Sequence, residues 1–224
     1  MKRMGLAVLF LCLVGALAVV PAMADSTLYD NTGPTSYGLN SNGGFTINFG
    51  WEVADSFTLD SNSTLTGVNL VAWLNPGDTM TNVDWLITDT AFGGNTEGSG
   101  TASVTDTYTG SQAFEYYDLD QESFALPGLS LAAGTYYLQL QNAVTGYGNP
   151  LYWDASNGSS DAAQAGNDSD PYDLNGANSN PGSNSETYQI LGSPDSVTPE
   201  PSSFLLLGSG LLGLAGLIKR KLPA

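Results

Sequence analysis

The feature that most limits the fold of this chain is a series of short segments in which apolar and polar residues alternate. In residues 135–142, for example, Tyr136, Leu138 and Leu140 fall on one face of an extended strand. A period of two residues is typical of a β-strand with one buried face and one wet face. The predicted strands are residues 45–49, 55–59, 64–73, 83–88, 98–105, 113–119, 123–126, 135–142, 151–153 and 186–191.

Turn-forming residues separate these segments, and nothing between them has the i, i+3, i+4 apolar spacing of a helix. The pattern therefore predicts an all-β fold, a single antiparallel β-sandwich with a jelly-roll-like winding over residues 25–197. A β-helix would need a repeat of fixed period, and the sequence contains none. Residues 154–184 are rich in Asn, Gly, Ser and Asp, which predicts a long loop before the last strand.

The charge distribution limits the partners of this domain. Residues 25–200 contain all 22 acidic residues of the chain and no Lys, Arg or His. Without basic side chains the domain cannot neutralise a phosphate backbone, so nucleic acid and anionic membrane surfaces are excluded as partners. The domain can form no internal salt bridge, and its field attracts cations.

The absence of His, Cys and Lys from residues 25–200 also limits catalysis. A serine nucleophile has no conventional base there and no thiolate is available. We therefore expect that the protein is not an enzyme and requires no cofactor. A carboxylate pair, as in glycosidases, is the one catalytic alternative that the composition leaves open.

Calcium is the metal that suits this composition, because it takes carboxylate and carbonyl oxygens as ligands. Two acidic clusters have a suitable spacing, one on a predicted strand and one in the long loop. Solvated acids without a metal are the alternative for both. The candidate metal ligands are Asp118, Asp120 and Glu122 in the first cluster and Asp168, Asp170 and Asp173 in the second.

Sugar binding is a further option, since aromatic rings can stack on sugar rings while Asn, Asp and Gln bind the hydroxyl groups. Trp73 and Trp85 lie in strongly apolar strands, so we expect them in the core. Trp153 lies beside the Asn- and Gly-rich loop. We therefore predict that Trp153 is exposed and is the residue that binds a carbohydrate ligand.

The first 24 residues have the three parts of a secretory signal peptide. Lys2 and Arg3 are followed by an apolar run over residues 6–20 and by small residues before Asp25. We expect a signal helix over residues 1–24 and cleavage between Ala24 and Asp25.

The last 27 residues, 198–224, contain three elements in a fixed order. They are a Pro-Glu-Pro triplet, an apolar segment and a basic cluster. The apolar segment predicts a short hydrophobic helix of about 22 Å, which is marginal for a membrane core of about 30 Å. The basic residues are expected to stay in the cytoplasm. The three elements are Pro199, Glu200 and Pro201, then residues 204–218 with Phe204 and Ile218 at the ends, then Lys219, Arg220 and Lys221.

These elements closely resemble the PEP-CTERM sorting domain, which is also called the ice-binding protein C-terminal domain. The resemblance implies a Gram-negative bacterium, transient tethering in the inner membrane and recognition by an exosortase. It also implies release to the cell surface or the medium. Residues 55–191 look like the β-rich domains often attached to such tails.

Together these features predict a secreted structural or adhesive component of an exopolysaccharide matrix. A carbohydrate-binding module, with or without help from calcium, is the alternative, and a carboxylate-pair glycosidase is the third.

Overall fold

The computed structural model describes residues 25–32, 43–156, 158–160, 162–166, 171–173 and 185–195. The predicted signal helix, with Ala24, and the predicted sorting tail lie outside these residues. Within them the chain forms strands and no helix, so none of this part could cross a membrane as an apolar helix. The strands are β1 (Ser26–Asp30), β2 (Gly44–Thr46), β3 (Glu52–Leu59), β4 (Ser63–Leu74), β5 (Met80–Thr88), β6 (Thr96–Ser103), β7 (Thr105–Ala113), β8 (Tyr117–Leu131), β9 (Gly134–Thr145), β10 (Tyr152–Ser156), β11 (Ala162–Ala165), β12 (Pro171–Asp173), β13 (Ser185–Glu186) and β14 (Tyr188–Pro194).

The chain divides into two units, Met1–Ser193 and Pro194–Ala224. The described strands lie in the first unit, except that β14 ends at Pro194. Most of the second unit lies outside the described residues.

The strands form two antiparallel sheets that pack as a sandwich, which confirms the predicted fold class. The eight-stranded sheet has the order β1-β14-β4-β10-β13, with β8 pairing with β4 and β7, and β2 pairing with β10. The six-stranded sheet has the order β12-β11-β3-β9-β5-β6. β8 therefore lies between β4 and β7, and β9 lies between β3 and β5. The chain passes between the two sheets several times, for example from β3 to β4 and from β8 to β9; the jelly-roll-like winding stays a prediction.

The core lies between the two sheets because each sheet turns one apolar face inward. In β4, Leu70, Ala72 and Leu74 belong to this core, and in β9 Leu138 and Leu140 face them from the other sheet. Burial of such side chains is the main stabilising term in a domain without disulfides or salt bridges.

Part of the segment predicted as a loop is in strands. β10 extends to Ser156, and β11 pairs with β3 on one side and with β12, at the edge of the six-stranded sheet, on the other. In β11 the buried side chains are Ala162 and Ala165, whose small size does not distinguish a strand from an Ala- and Gly-rich loop.

The single strand predicted over residues 113–119 is only partly right, because residues 117–119 begin β8 and residues 114–116 form a turn. A turn separates β7 from β8 here, and Phe114 and Glu115 have φ angles of 51° and 57°. β7 itself was not predicted as a strand over most of its length. Its side chains are mostly polar and only its last residue, Ala113, is fully apolar and buried, so it shows little alternation.

Candidate functional site

Three carboxyl groups meet on the inner face of the β7–β8 hairpin. Asp106 in β7 lies opposite Glu122 in β8, and Glu122 also lies opposite Leu70 of β4. Asp120, two residues before Glu122, points to the same side of the strand. One oxygen of each of Asp106, Asp120 and Glu122 lies within 4.8 Å of the others. We call these three residues the acidic cluster, and they lie on the side of the sheet that carries the core.

The acidic cluster is buried and poorly hydrogen-bonded. Glu122 is 0 % exposed and Asp120 is 3 % exposed. Neither oxygen of Glu122, nor Oδ1 of Asp120, accepts a hydrogen bond from an N–H group or a hydroxyl group in the described part of the chain, and the neighbouring carboxyl group of Asp106 can share a proton with them. Asp106 is bound at one oxygen, since its Oδ2 accepts a hydrogen bond of 3.1 Å from the backbone N–H of Met80. Buried polar atoms without a partner are rare in folded proteins and cost free energy.

Burial and the repulsion of neighbouring carboxyl groups raise the pKa values of Asp120 and Glu122. Burial, followed by the nearby carboxyl group of Asp106, raises the pKa of Glu122 to about 10. Burial, followed by the charges of Asp106 and Asp118, raises the pKa of Asp120 to about 7. Without an external cation, Glu122 is therefore protonated at neutral pH.

The structure brings together two of the three residues of the first predicted metal trio. Asp120 and Glu122 belong to the acidic cluster, but Asp118 does not. The carboxylate of Asp118 instead accepts hydrogen bonds from the backbone of Gly77 at 3.0 Å and from the side chain of Gln112 at 2.9 Å. The third member of the acidic cluster is Asp106, which lies on the neighbouring strand β7. The sequence could not identify Asp106 because it does not show which strands pair.

The structure does not describe the side chains of the second predicted metal trio. Asp168 and Asp170 lie outside the described residues. Asp173 lies in β12, where the backbone alone is described. A calcium site in this segment stays a prediction.

The outer face of the eight-stranded sheet carries a second group of interest, which we call the aromatic face. Its centre is Trp73, whose ring centroid lies 5.3 Å from that of Phe114, 6.1 Å from that of Tyr117 and 6.5 Å from that of Tyr152. Tyr116 extends the group, since its ring contacts Tyr117 at 4.9 Å. Phe114 is 59 % exposed and Tyr116 is 54 % exposed, so the rings face solvent.

The sheet and a buried carboxylate hold Trp73 in place. Below the rings, Val71, Ala113 and Leu119 form a small buried cluster with Trp73 that is separate from the main core. The indole N–H of Trp73 donates a hydrogen bond of 2.6 Å to Oδ1 of Asp154. The ring therefore has a fixed orientation under its neighbours.

The turn between β7 and β8 presents two of the exposed rings. The N–H of Tyr116 donates a 3.0 Å hydrogen bond to the carbonyl of Ala113, which closes the turn around Phe114 and Glu115. A left-handed conformation is unfavourable for residues with a Cβ atom by about 1 kcal/mol or more, and turns of this kind usually contain Gly or Asn. The turn is therefore strained, and its sequence is not the one that stability alone would favour.

A recess with amide side chains adjoins the aromatic face. Asn69, Gln121 and Gln189 line it together with Val71, which also supports Trp73. Its volume is about 100 Å³. Asn69 donates a hydrogen bond of 3.2 Å to Gln189, and Gln121 is exposed. We call this group the amide recess.

The prediction that Trp153 is an exposed ligand residue is wrong. Its side chain is fully buried between the sheets. Its indole N–H donates a 3.1 Å hydrogen bond to the carbonyl of Thr187, and its ring contacts Tyr188 at 5.4 Å. Trp85 lies in the main core as expected, whereas Trp73, also predicted as core, is buried on the outer face.

Comparison with known families identifies the C-terminal segment. Residues 197–221 match the family described as the PEP-CTERM protein-sorting motif. The chain ends in a PEP-CTERM sorting motif. The motif implies an exosortase-sorted protein that reaches the cell surface or is secreted, which confirms the predicted resemblance. A search of curated proteins finds none with significant similarity to this chain. The match covers the tail alone, so the role of the sandwich must be argued from its own residues.

Proposed function

We propose that this sorted protein is a non-enzymatic adhesive component of the extracellular matrix. In this proposal it binds neutral polysaccharide through the aromatic face. The observation that carries the proposal is the pair of exposed rings, Phe114 against the fixed indole of Trp73 and Tyr116 against Tyr117. Contiguous apolar groups on a protein surface commonly mark a binding site.

The chemistry of the outer face suits a sugar chain. Aromatic rings offer flat apolar surfaces to the C–H groups of a pyranose ring. The amide recess lies next to these rings, and its amide groups both donate and accept hydrogen bonds. A carbohydrate ligand needs both kinds of contact, which is why apolar surface with a few polar groups is typical of small-molecule sites.

The charge of the domain favours a neutral polysaccharide over an acidic one. Residues 25–200 have 22 acidic residues and no basic residue to bind a uronate, sulfate or phosphate group. An anionic polymer would be repelled by this field. We therefore assign a neutral glycan as the ligand.

The non-enzymatic assignment is part of the same proposal. The three carboxyl groups of the described residues with raised pKa values, Asp120, Glu122 and Glu186, are buried, so a sugar chain cannot contact them. This burial argues against the carboxylate-pair glycosidase. Incubation with the neutral polysaccharide and measurement of released reducing ends tests the assignment, and turnover that Glu122→Gln abolishes would contradict it.

Affinity electrophoresis in gels that contain a neutral bacterial exopolysaccharide tests the binding proposal. We expect the double variant Tyr116→Ala/Tyr117→Ala to bind at least about tenfold more weakly than the natural protein, since aromatic anchors dominate such contacts. The matched control is Tyr137→Ala. Tyr137 is a half-buried tyrosine on the outer face of the six-stranded sheet, between Tyr136 and Leu138, which both contact the core. Equal retardation of the two variants would contradict the proposal.

A further inference from the structure

We propose that the acidic cluster of Asp106, Asp120 and Glu122 is a calcium site between the two sheets. This inference does not depend on polysaccharide binding. It rests on the geometry of three carboxyl groups, on the unpartnered oxygens of a fully buried glutamate and on the charge of the domain around them.

The spacing of the oxygens fits one calcium ion. Calcium binds oxygen ligands at about 2.3–2.6 Å, so two ligands of the same ion lie no more than about 5 Å apart. One oxygen from each of Asp106, Asp120 and Glu122 lies within 4.8 Å of the other two. The three side chains are therefore close enough to share an ion without movement of the strands.

Glu122 points to a ligand independently of this spacing. Its side chain is fully buried on the inner face of the sheet, and neither of its oxygens accepts a hydrogen bond from an N–H group or a hydroxyl group of the described residues. Oδ1 of Asp120 accepts none either. A buried carboxyl group normally accepts several hydrogen bonds or binds a cation. A proton shared with Asp106 would satisfy one oxygen of Glu122, whereas a cation between the three carboxyl groups would satisfy Glu122 and Asp120 together.

The compensating charge cannot come from the domain itself. Residues 25–200 contain no Lys, Arg or His, so no side chain there can form an ion pair with the cluster. An external cation is the remaining source of positive charge. Calcium suits the donors, because all of them are oxygens and the domain has no Cys or His for a softer metal. Magnesium keeps several of its water molecules and fits a buried cluster less well.

The ion would stabilise the contact between the two sheets. Asp106 and Glu122 lie on the inner face of the β7–β8 hairpin. Oδ2 of Asp106 accepts a hydrogen bond from the backbone N–H of Met80, at the start of β5. β5 belongs to the six-stranded sheet and the hairpin to the eight-stranded sheet. The site therefore links the sheets in a domain that has no cysteine between residues 25 and 200 to form a disulfide.

Thermal unfolding of the purified protein with CaCl2 tests the site. Extracellular calcium modules bind with dissociation constants of about 0.1–1 mM. At a calcium concentration a hundredfold above the dissociation constant, we expect the Tm to rise by about 5–10 °C over the value in EDTA. Glu122→Gln should lose this rise. Asp106→Asn should lose it too, and provides a second readout if the first variant does not fold.

The matched control is Asp118→Asn, which removes a charge from the same strand but no member of the cluster. It should keep the calcium-dependent rise in Tm. Three results would overturn the proposal: no rise in the natural protein at 10 mM CaCl2, the full rise in both cluster variants, or an equal rise with MgCl2.

Discussion

Replacement of Glu122 by glutamine should stabilise the metal-free protein at neutral pH, although it changes a residue in the interior. Glutamine has nearly the shape of the protonated carboxyl group and can also donate a hydrogen bond to Asp106. The natural protein must take up a proton at Glu122 when it folds at neutral pH, because burial raises the pKa of this group to about 10. The glutamine variant needs no proton.

The size of the effect follows from the difference between folded and unfolded pKa values. The ordinary pKa of the group is 4.5 and its folded value is about 10. Between these values the folded state binds one proton more than the unfolded state, so the natural protein loses about 1.4 kcal/mol of stability per pH unit as the pH rises. The contribution of Glu122 to stability is therefore fully present below about pH 4.5, and its loss ends only near pH 10. Glu122→Gln should be more stable by about 3 kcal/mol at pH 7, and this gain should increase by about 4 kcal/mol between pH 5 and pH 8.

Urea unfolding in EDTA at pH 5, 7 and 8 measures this difference. Asp60→Asn is the control, because it removes one carboxylate from an exposed turn and gives the same net charge. We expect this control to remain within about 0.5 kcal/mol of the natural protein. A Glu122→Gln variant that is less stable than the natural protein at pH 8, or a gain that does not change with pH, would refute the electrostatic reasoning.

Three further predictions concern the core, the strained turn and the tail. Trp153→Ala should lower the free energy of unfolding, measured in urea, by about 3–5 kcal/mol, because the ring is fully buried. The control is Tyr147→Ala, at a position that is 75 % exposed. A loss below about 1 kcal/mol, or one no larger than in the control, would contradict the core assignment. Glu115→Gly should raise stability by up to about 1 kcal/mol and leave polysaccharide affinity unchanged, since the residue has a φ of 57°; a lower Tm would contradict strain at the turn. Alanine at 199–201, within the matched motif, should leave a cell-associated precursor on immunoblots, and normal release would contradict exosortase sorting.

The sandwich could be predicted from the sequence because, along most of the chain, alternating apolar residues mark the strands and turn-forming residues mark where the strands end. β9 is a clear case, since Leu138 and Leu140 alternate with polar residues and are both buried. β7 shows where this approach fails, because a strand of Thr, Tyr, Ser and Gln has little apolar alternation to detect.

The candidate sites were harder to predict because they depend on which strands are neighbours. Asp120 and Glu122 share a face by simple alternation, but Asp106 joins them only through the pairing of β7 with β8. The tryptophans give the same lesson. Trp73 lies within the apolar run from Leu70 to Leu74, so its sequence context could not show that it points outward.

Two-dimensional 1H–13C NMR spectra of the aromatic side chains give the most direct test of the central claim that the aromatic face binds neutral polysaccharide. On titration with a soluble neutral oligosaccharide from the matrix, we expect shifts in the ring signals of Phe114, Tyr116 and Tyr117. The signals of Tyr137 on the opposite sheet and of Trp153 in the core should not change. Shifts confined to Tyr137, or no shifts at saturating oligosaccharide, would contradict the claim.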